Sequence, residues 1–283
     1  MNKQSVREIF DQISDSVINF LENHPGVTEV EFTERQGIVE NLIETWEQEN
    51  SPYLLPNDIK AFLQITDGLL LKWKIKIKDK IQPLGYMHVN KLKEIVPFNF
   101  KSYALRTLGD DSPESDDEEQ DVKGFNLDNQ VFDGRLGLIY YDTVDSPKVY
   151  FQDLSGHWFF IANSFTDYFR LMVMHLGLPH WHYAFTEVGL DTTSQQWFRF
   201  LSPERLTIDM KSRNTQIKRM RKQKKDVKKE QVLIRSIRRR RNTSGFYMQE
   251  TEEDPKRKKQ KKSKKKKTKK KLEETKELPK PKK

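Results

Sequence analysis

The fold is decided by residues 157–185, which read H-W-F-F-I-A-N-S-F-T-D-Y-F-R-L-M-V-M-H-L-G-L-P-H-W-H-Y-A-F. Ser164 stands at an N-cap position with Asp167 three residues later, as in a capping box. Gly177 favours a left-handed helix end, and Pro179 prevents continuation. The sequence therefore predicts one helix whose ring-rich face packs against a sheet or other helices. Its apolar stripe consists of Phe165, Tyr168, Phe169, Met172 and Leu176.

The residues after this helix allow two interpretations. Packing in the core explains a run of aromatic side chains without any function. The second interpretation is a docking surface for another protein, because aromatic side chains are enriched in protein interfaces. The candidate docking residues are Pro179, His180, Trp181, His182, Tyr183 and Phe185.

The charge of the chain is divided between its two ends. Residues 211–283 contain 32 basic and 9 acidic residues, a net charge of +23, whereas residues 1–210 carry −14. Cysteine is absent, which excludes disulfides and Zn–thiolate sites. No run of 18 apolar residues indicates a membrane span, and the N-terminus lacks the apolar core of a signal peptide.

Hydrophobic periodicity predicts helices and strands that segregate rather than alternate. This pattern indicates an α+β fold with one mixed, largely antiparallel sheet flanked by helices. The strongest strand pattern lies at Leu69–Ile77, where apolar residues alternate with lysines. The predicted helices cover 3–23, 37–49, 57–66, 90–96, 164–176 and 193–201, and the predicted strands cover 27–32, 69–77, 81–89, 136–141, 148–153 and 157–161.

Two segments are expected to lie outside the folded core. Residues 109–121, G-D-D-S-P-E-S-D-D-E-E-Q-D, are predicted to be a disordered acidic insertion, with order returning at Val131. We expect a globular domain over residues 1–205, followed by a basic tail over 206–283 that is largely disordered or partly helical.

The segment L-P-N-D-I-K-A-F-L-Q-I-T-D-G (55–68), followed by L-x-W, resembles the signature of the SUKH superfamily. That superfamily includes yeast cell-wall regulators of the Smi/Knr type and bacterial toxin-immunity proteins. The resemblance implies a mixed sheet flanked by helices.

A more specific resemblance, in blocks over roughly residues 24–200, is to the tubulin polyglutamylase complex subunit 2 family. Besides residues 55–68, it rests on H-P-G-V-T-E-V (24–30), T-W-E-Q-E-N (45–50), I-Q-P-L-G-Y-M-H-V-N (81–90), 165–185 and G-L-D-T-T-S-Q-Q-W-F (189–198). The basic tail has no counterpart in these blocks.

The resemblance implies a non-catalytic subunit and no cofactor. The glutamate ligase of such a complex is a separate tubulin tyrosine ligase-like chain, which with other complex subunits would be the partner. It adds glutamate chains to the C-terminal tails of tubulin in cilia, basal bodies, centrioles and other stable microtubules. The resemblance thus implies a cytoplasmic, cytoskeletal location.

Motifs for chemistry are absent from the sequence. There is no G-x-x-x-x-G-K-[ST] or G-x-G-x-x-G loop to cradle phosphates. His175, His180 and His182 could hold a metal, but no adjacent carboxylate is available to orient them. Packing around the aromatic residues is the better interpretation of these histidines. The acidic residues 110–121 lack the pattern of an EF-hand loop.

The basic tail is expected to bind polyanions through charge and counterion release. The anion could be the acidic tail of tubulin, nucleic acid, anionic lipid or the acidic segment of this chain. A solvated tail that also serves as a nuclear-import signal is the plainest alternative, and a nuclear regulator that binds nucleic acid is another. The candidate residues are Lys218, Arg219, Arg221, Lys222, Lys224, Lys225, Arg238, Arg239, Arg240, Arg241, Lys256, Arg257, Lys258, Lys259, Lys264, Lys265, Lys266 and Lys267.

Overall fold

The computed structural model describes residues 3–33, 35–108, 120–141 and 146–249. The described helices are α1 (Lys3–Asn23), α2 (Glu40–Glu49), α3 (Asn57–Ile65), α4 (Phe165–Met174), α5 (Thr192–Leu201) and α6 (Pro203–Gln249). The described strands are β1 (Val27–Phe32), β2 (Leu69–Ile77), β3 (Lys80–Val89), β4 (Pro97–Lys101), β5 (Leu105–Arg106), β6 (Asp121–Asp128), β7 (Arg135–Tyr140), β8 (Lys148–Gln152) and β9 (Trp158–Ala162).

The strands form two sheets, and the α+β prediction is confirmed. The first sheet is antiparallel in the order β1-β2-β3, and the second is mixed in the order β4-β6-β7-β8-β9-β5. Only one sheet was expected, because residues 90–96 were predicted to be helical. The structure has a single 3-10 turn there, at Leu92–Glu94, and the chain then enters β4. The amide of Asn90 donates to the carbonyl of Leu127 at 2.9 Å and ties the sheets together.

Strand β6 begins at Asp121, ten residues before the point where order was expected to return. Its pattern is broken by Gly124, so it does not read as an alternating strand. A Cβ at Gly124 would lie 2.5 Å from Cζ of Phe98, whose ring occupies that space. The predicted disorder of the acidic insertion falls on residues 109–119, which lie outside the described ranges.

The main core lies where α1, α3 and α4 meet, and it confirms the predicted helical stripe. The Phe10 ring of α1 lies 5.2 Å from Phe62 of α3 and 5.0 Å from Phe169 of α4, measured between ring centroids. Phe62 also lies 4.9 Å from Phe165. These edge-on and tilted contacts are the arrangement that aromatic rings favour.

The segment at residues 55–68 joins distant elements through its polar residues. The Asp58 carboxylate accepts hydrogen bonds from the amide and hydroxyl of Thr166, at 2.8 and 3.1 Å. It therefore caps the start of α4, which Ser164 also caps by accepting from the Asp167 amide. Asp67 accepts from the Leu92 amide at 2.9 Å. This segment therefore fixes α3 against both α4 and the connection between the sheets.

The boundary expected at residue 205 lies inside a helix. α6 begins at Pro203, and Leu206 is buried in the main core. Asp209 is 6% exposed. Because 20 of the 47 residues of α6 are charged, no continuous apolar stripe predicted these contacts in the sequence. By contact density the chain divides into two compact units, Met1–Lys222 and Gln223–Lys283.

Candidate functional site

The predicted docking segment forms a short 3-10 helix at Trp181–Phe185. Trp181 is 3% exposed and His182 is 7% exposed, so these two side chains belong to the core. The other four candidates, Pro179, His180, Tyr183 and Phe185, are half-buried. The accessible part of the segment is therefore limited to these four residues.

His175, at the end of α4, is buried among aromatic rings and charged partners. Its Nε2 lies 2.8 Å from Oδ2 of Asp209, and its Nδ1 lies 2.6 Å from the carbonyl of Leu171. Both ring nitrogens therefore have a buried polar partner, one on α4 and one on α6. The ring stacks on Trp181 at 4.5 Å.

Asp209 holds α6 against this histidine. Burial raises the pKa of Asp209, but hydrogen bonds from His175 and Arg205 outweigh that effect and leave the pKa below its usual value. Arg213, one turn further along α6, donates to the carbonyls of Thr186 and Glu187. The first turns of α6 are therefore fixed over the docking segment by charged groups.

His180 bridges two carboxylates from different parts of the chain. Its Nε2 lies 3.0 Å from Asp133, in the β6–β7 connection, and its Nδ1 lies 3.2 Å from Asp191, the N-cap of α5. Burial raises the pKa of Asp191, but hydrogen bonds from Ser194, His180 and Thr193 lower it to about 2. The backbone of His180 is left-handed, with φ of 58°. These contacts pin the docking segment to both neighbours.

His182 lies within the ring cluster and is held neutral. Burial, with smaller effects of His175 and His180, lowers the pKa of His182 well below its usual value. Its ring stacks on Trp181 at 3.9 Å and on Phe151 at 5.0 Å. Its Nε2 is buried and has no hydrogen-bond partner among the described residues.

The three histidines do not converge on a metal. Each of the first two has carboxylate partners, contrary to the expectation from sequence, but these partners are different: Asp209 for His175, and Asp133 with Asp191 for His180. Within the described residues, no group of three or more His, Asp or Glu side chains is placed to bind a metal ion. Asp133 and Asp209 gave no local signal in the sequence because they act across the fold, whereas Asp191 stands at an N-cap position that a local pattern can indicate.

Exposed apolar side chains border the docking segment. The hydroxyl of Tyr183 donates to the Asp133 carbonyl at 2.6 Å, next to Phe132, which is 57% exposed. The backbone of Leu154, whose side chain is 76% exposed, hydrogen-bonds to the same hydroxyl. We define the docking surface as the accessible parts of Pro179, His180, Tyr183 and Phe185 together with Phe132 and Leu154.

The polyanion candidates are divided between α6 and the undescribed end of the chain. Lys218, Arg219, Arg221, Lys222 and Lys225 lie on α6 and are exposed. Lys224 and residues 238–241 also belong to α6, whereas the candidates from 256 to 267 lie outside the described residues. Within the predicted tail, the described helix α6 extends as far as Gln249.

The fold and these surfaces define a class of protein. It is an α+β protein with a buried aromatic and histidine cluster bordered by exposed apolar side chains, and its last described helix carries exposed basic residues. None of the helices in the described ranges combines the length and apolarity that crossing a membrane requires.

Comparison with curated proteins identifies the family. The chain is 33% identical over 212 residues to tubulin polyglutamylase complex subunit 2 of Rattus norvegicus, covering 68% of this chain and 71% of that protein. It is 32% identical to the Mus musculus protein of the same name, with the same coverage. The Homo sapiens protein is 29% identical over 211 residues, covering 68% and 70%. The chain belongs to the tubulin polyglutamylase complex subunit 2 family.

Two further comparisons found nothing. No protein-family model matches the chain. No solved structure matches it either.

Proposed function

We propose that this chain is a non-catalytic scaffold or adaptor subunit of a tubulin polyglutamylase complex. The observation that carries the proposal is its 33% identity over 212 residues to a protein named as subunit 2 of that complex. The missing phosphate-binding loops support a non-catalytic role, since glutamate ligation needs ATP held in place. The ligase would then be a separate tubulin tyrosine ligase-like chain.

In this proposal the globular body, residues 1–205, contacts the other subunits through the docking surface. Phe132 and Leu154 are exposed and apolar, and Tyr183 and His180 between them are held rigidly by hydrogen bonds and ion pairs. A rigid aromatic surface with few charges is the composition that protein interfaces favour at their centres. A SUKH-like relationship of the body is part of the same proposal.

The basic tail, residues 206–283, is proposed to hold the complex near the acidic tails of tubulin. On α6 the lysines at 211, 218 and 222 lie on one side, because residues four and seven apart share a helix face. All three are exposed. A row of exposed cations attracts an acidic peptide over distances comparable to the Debye length. This binding would place the protein on microtubules, including those of cilia, basal bodies and centrioles.

The tail is best tested by charge substitution in the full chain. Truncation after residue 205 would remove Leu206 and Asp209 and leave His175 buried without its carboxylate. The test variant therefore replaces Lys218, Lys222 and Lys225 with glutamine. The matched control replaces three exposed lysines of the β2–β3 hairpin, Lys76, Lys78 and Lys80, in the same way.

Co-sedimentation with microtubules then measures the affinity of each variant. At low salt the tail variant should bind about tenfold more weakly than the wild type, since each exposed ion pair contributes about 0.2–1 kcal/mol. The control should bind as the wild type does, and removal of the acidic tubulin tails should abolish the difference. Equal binding by both variants would refute the tail's role. Salt-sensitive binding to RNA or DNA, with no binding to microtubules, would favour the nucleic-acid regulator instead.

A further inference from the structure

A small pocket lies beside the docking segment, between β3, the β6–β7 connection, α4 and the 3-10 helix. Its free volume is about 20 Å³. This is room for one water-sized group, and far too little for a nucleotide or another small-molecule substrate. Phe132, which is 57% exposed, forms part of its rim. The other rings that line it are Tyr86, His88, Tyr168, His180, Trp181 and His182.

The polar groups that line this pocket have hydrogen-bond acceptors to spare. The hydroxyl of Tyr168 donates its hydrogen to Sδ of Met172 at 3.9 Å, so its oxygen can still accept hydrogen bonds through its lone pairs. His182 Nε2 has no partner among the described residues, and in the Nδ1-protonated tautomer it accepts. Asp128 receives the Gln130 amide and lies 2.6 Å from His88, both contacts being made by Oδ1 alone.

We propose that this pocket binds the ammonium group of a lysine side chain. An ammonium brings three N–H donors, which match the Tyr168 hydroxyl, His182 Nε2 and the Asp128 carboxylate. Aromatic faces attract a cation, and the rings of Tyr86, Phe132 and Trp181 supply them. A guanidinium, with four heavy atoms, is too large for the free volume, and an anion would face the Asp128 carboxylate.

The surroundings already show this preference for cations. Lys72 of β2 places its ammonium 5.6 Å from the centroid of the Tyr86 ring. The imidazole of His180 on the opposite wall is compensated by Asp133 and Asp191. Burial keeps the pKa of His182 well below its usual value, so this ring adds no positive charge. His182 therefore does not compete with a bound cation for the Asp128 carboxylate, whose Oδ1 contacts His88.

The inference concerns the pocket itself and does not depend on which subunit docks beside it. The occupant is a lysine of a partner protein, which the Asp128 carboxylate and the surrounding rings attract by its charge.

The test is NMR on the full chain with labelled methionine methyl groups and tryptophan indoles, titrated with n-butylammonium. Saturable shifts of the Met172 methyl and the Trp181 indole are expected, with no comparable shifts from n-butanol or butyrate. Phe132→Ala should weaken binding about threefold through loss of one ring, whereas Leu154→Ala, which alters a side chain outside the pocket, should not. Because Asp128→Asn perturbs a buried hydrogen bond, the exposed Phe132 carries the test.

Two results would overturn the proposal. Equal shifts with butanol and butylammonium would mean that the pocket holds only water or any small solute. Unchanged affinity in Phe132→Ala would mean that the cation binds elsewhere. A full-length variant with the lysines of 256–271 replaced by glutamine serves as a control and should bind butylammonium as the wild type does. Tighter binding by that variant would contradict the assignment of the pocket to a partner's lysine.

Discussion

Single histidines in this protein take their properties from residues far away in the sequence. His175 is completely buried and meets Asp209, 34 residues away, while His180 meets Asp133 and Asp191. A buried carboxylate is stable only when its partners are in place. The contact between His175 and Asp209 therefore links the stability of the core to the attachment of α6.

Replacing Asp209 with asparagine should lower the free energy of unfolding by about 3 kcal/mol, because it removes the buried carboxylate that contacts both His175 and Arg205. Urea unfolding measures this loss. In a His175→Phe background the same substitution should cost less, since the contact with the histidine is already gone. The matched control is Asp226→Asn on α6, an exposed carboxylate, which should change stability by less than about 0.5 kcal/mol. Equal losses in the two backgrounds would contradict the pairing.

His182 makes stability depend on pH in the opposite way from a paired histidine. Its folded pKa is depressed, so below about pH 6.5 the unfolded chain binds a proton that the folded chain does not. The wild type should therefore lose up to about 1.4 kcal/mol of stability per pH unit through this group as pH falls from 6 to 5.

The variant His182→Phe keeps the stacking on Trp181 and removes the titration. Its urea-unfolding free energy should fall less between pH 7 and pH 5 than that of the wild type. At pH 7 it should be at least as stable, because the unpartnered Nε2 is gone. A parallel pH dependence in the two proteins would show that the ring is protonated in the folded state.

At the scale of helices and strands, hydrophobic periodicity predicted those elements whose buried residues follow a regular spacing in the sequence. β2 buries Leu69, Leu71, Trp73 and Ile75 as its alternation predicted, and the apolar stripe of α4, with its three rings, is buried as well. The sequence did not predict β4 and β6. The Phe98 ring of β4 fills the space beside Gly124 of β6, and the pattern within one segment does not show such a pairing between two strands. The burial of Trp181 and the carboxylate partners of the histidines could not be predicted either, because both depend on residues from distant parts of the chain.

The end of α4 is a joint between the helix and β3. Gly177 is left-handed, with φ of 60°, and its carbonyl accepts from the Tyr86 amide at 2.8 Å. The carbonyl of Leu176 accepts from the indole of Trp73 at 2.9 Å. The glycine predicted as a helix stop therefore also brings two backbones into contact, a role its neighbours in the sequence do not indicate.

Gly177→Ala should be strongly destabilising, because the new Cβ would lie 2.6 Å from the Tyr86 carbonyl oxygen in addition to the left-handed strain. Gly156→Ala is the matched control: its φ is 84°, but nothing except one Gln152 atom at 3.9 Å lies near the new Cβ. We expect a loss of about 1 kcal/mol for the control and at least about twice that for Gly177→Ala. Equal melting temperatures for the two variants would contradict this account of the joint.

At the scale of the whole chain, the division of charge is the feature that the sequence alone reveals most clearly. An acidic part of −14 and a basic part of +23 are joined in one molecule. Family membership gives this division a context, since its relatives are named as subunits of a complex that modifies tubulin. In the proposed function, the docking surface and the basic helix are two attachment points for different partners.

Affinity purification of the tagged full-length chain, followed by mass spectrometry of the bound proteins, tests the central claim most directly. A scaffold subunit should recover a tubulin tyrosine ligase-like chain in stoichiometric amounts, and recovery should fall in a variant with Phe132 and Leu154 both replaced by serine. The Lys76, Lys78 and Lys80 variant should recover the same amount as the wild type. Absence of any ligase-like chain from the wild-type sample would contradict the account.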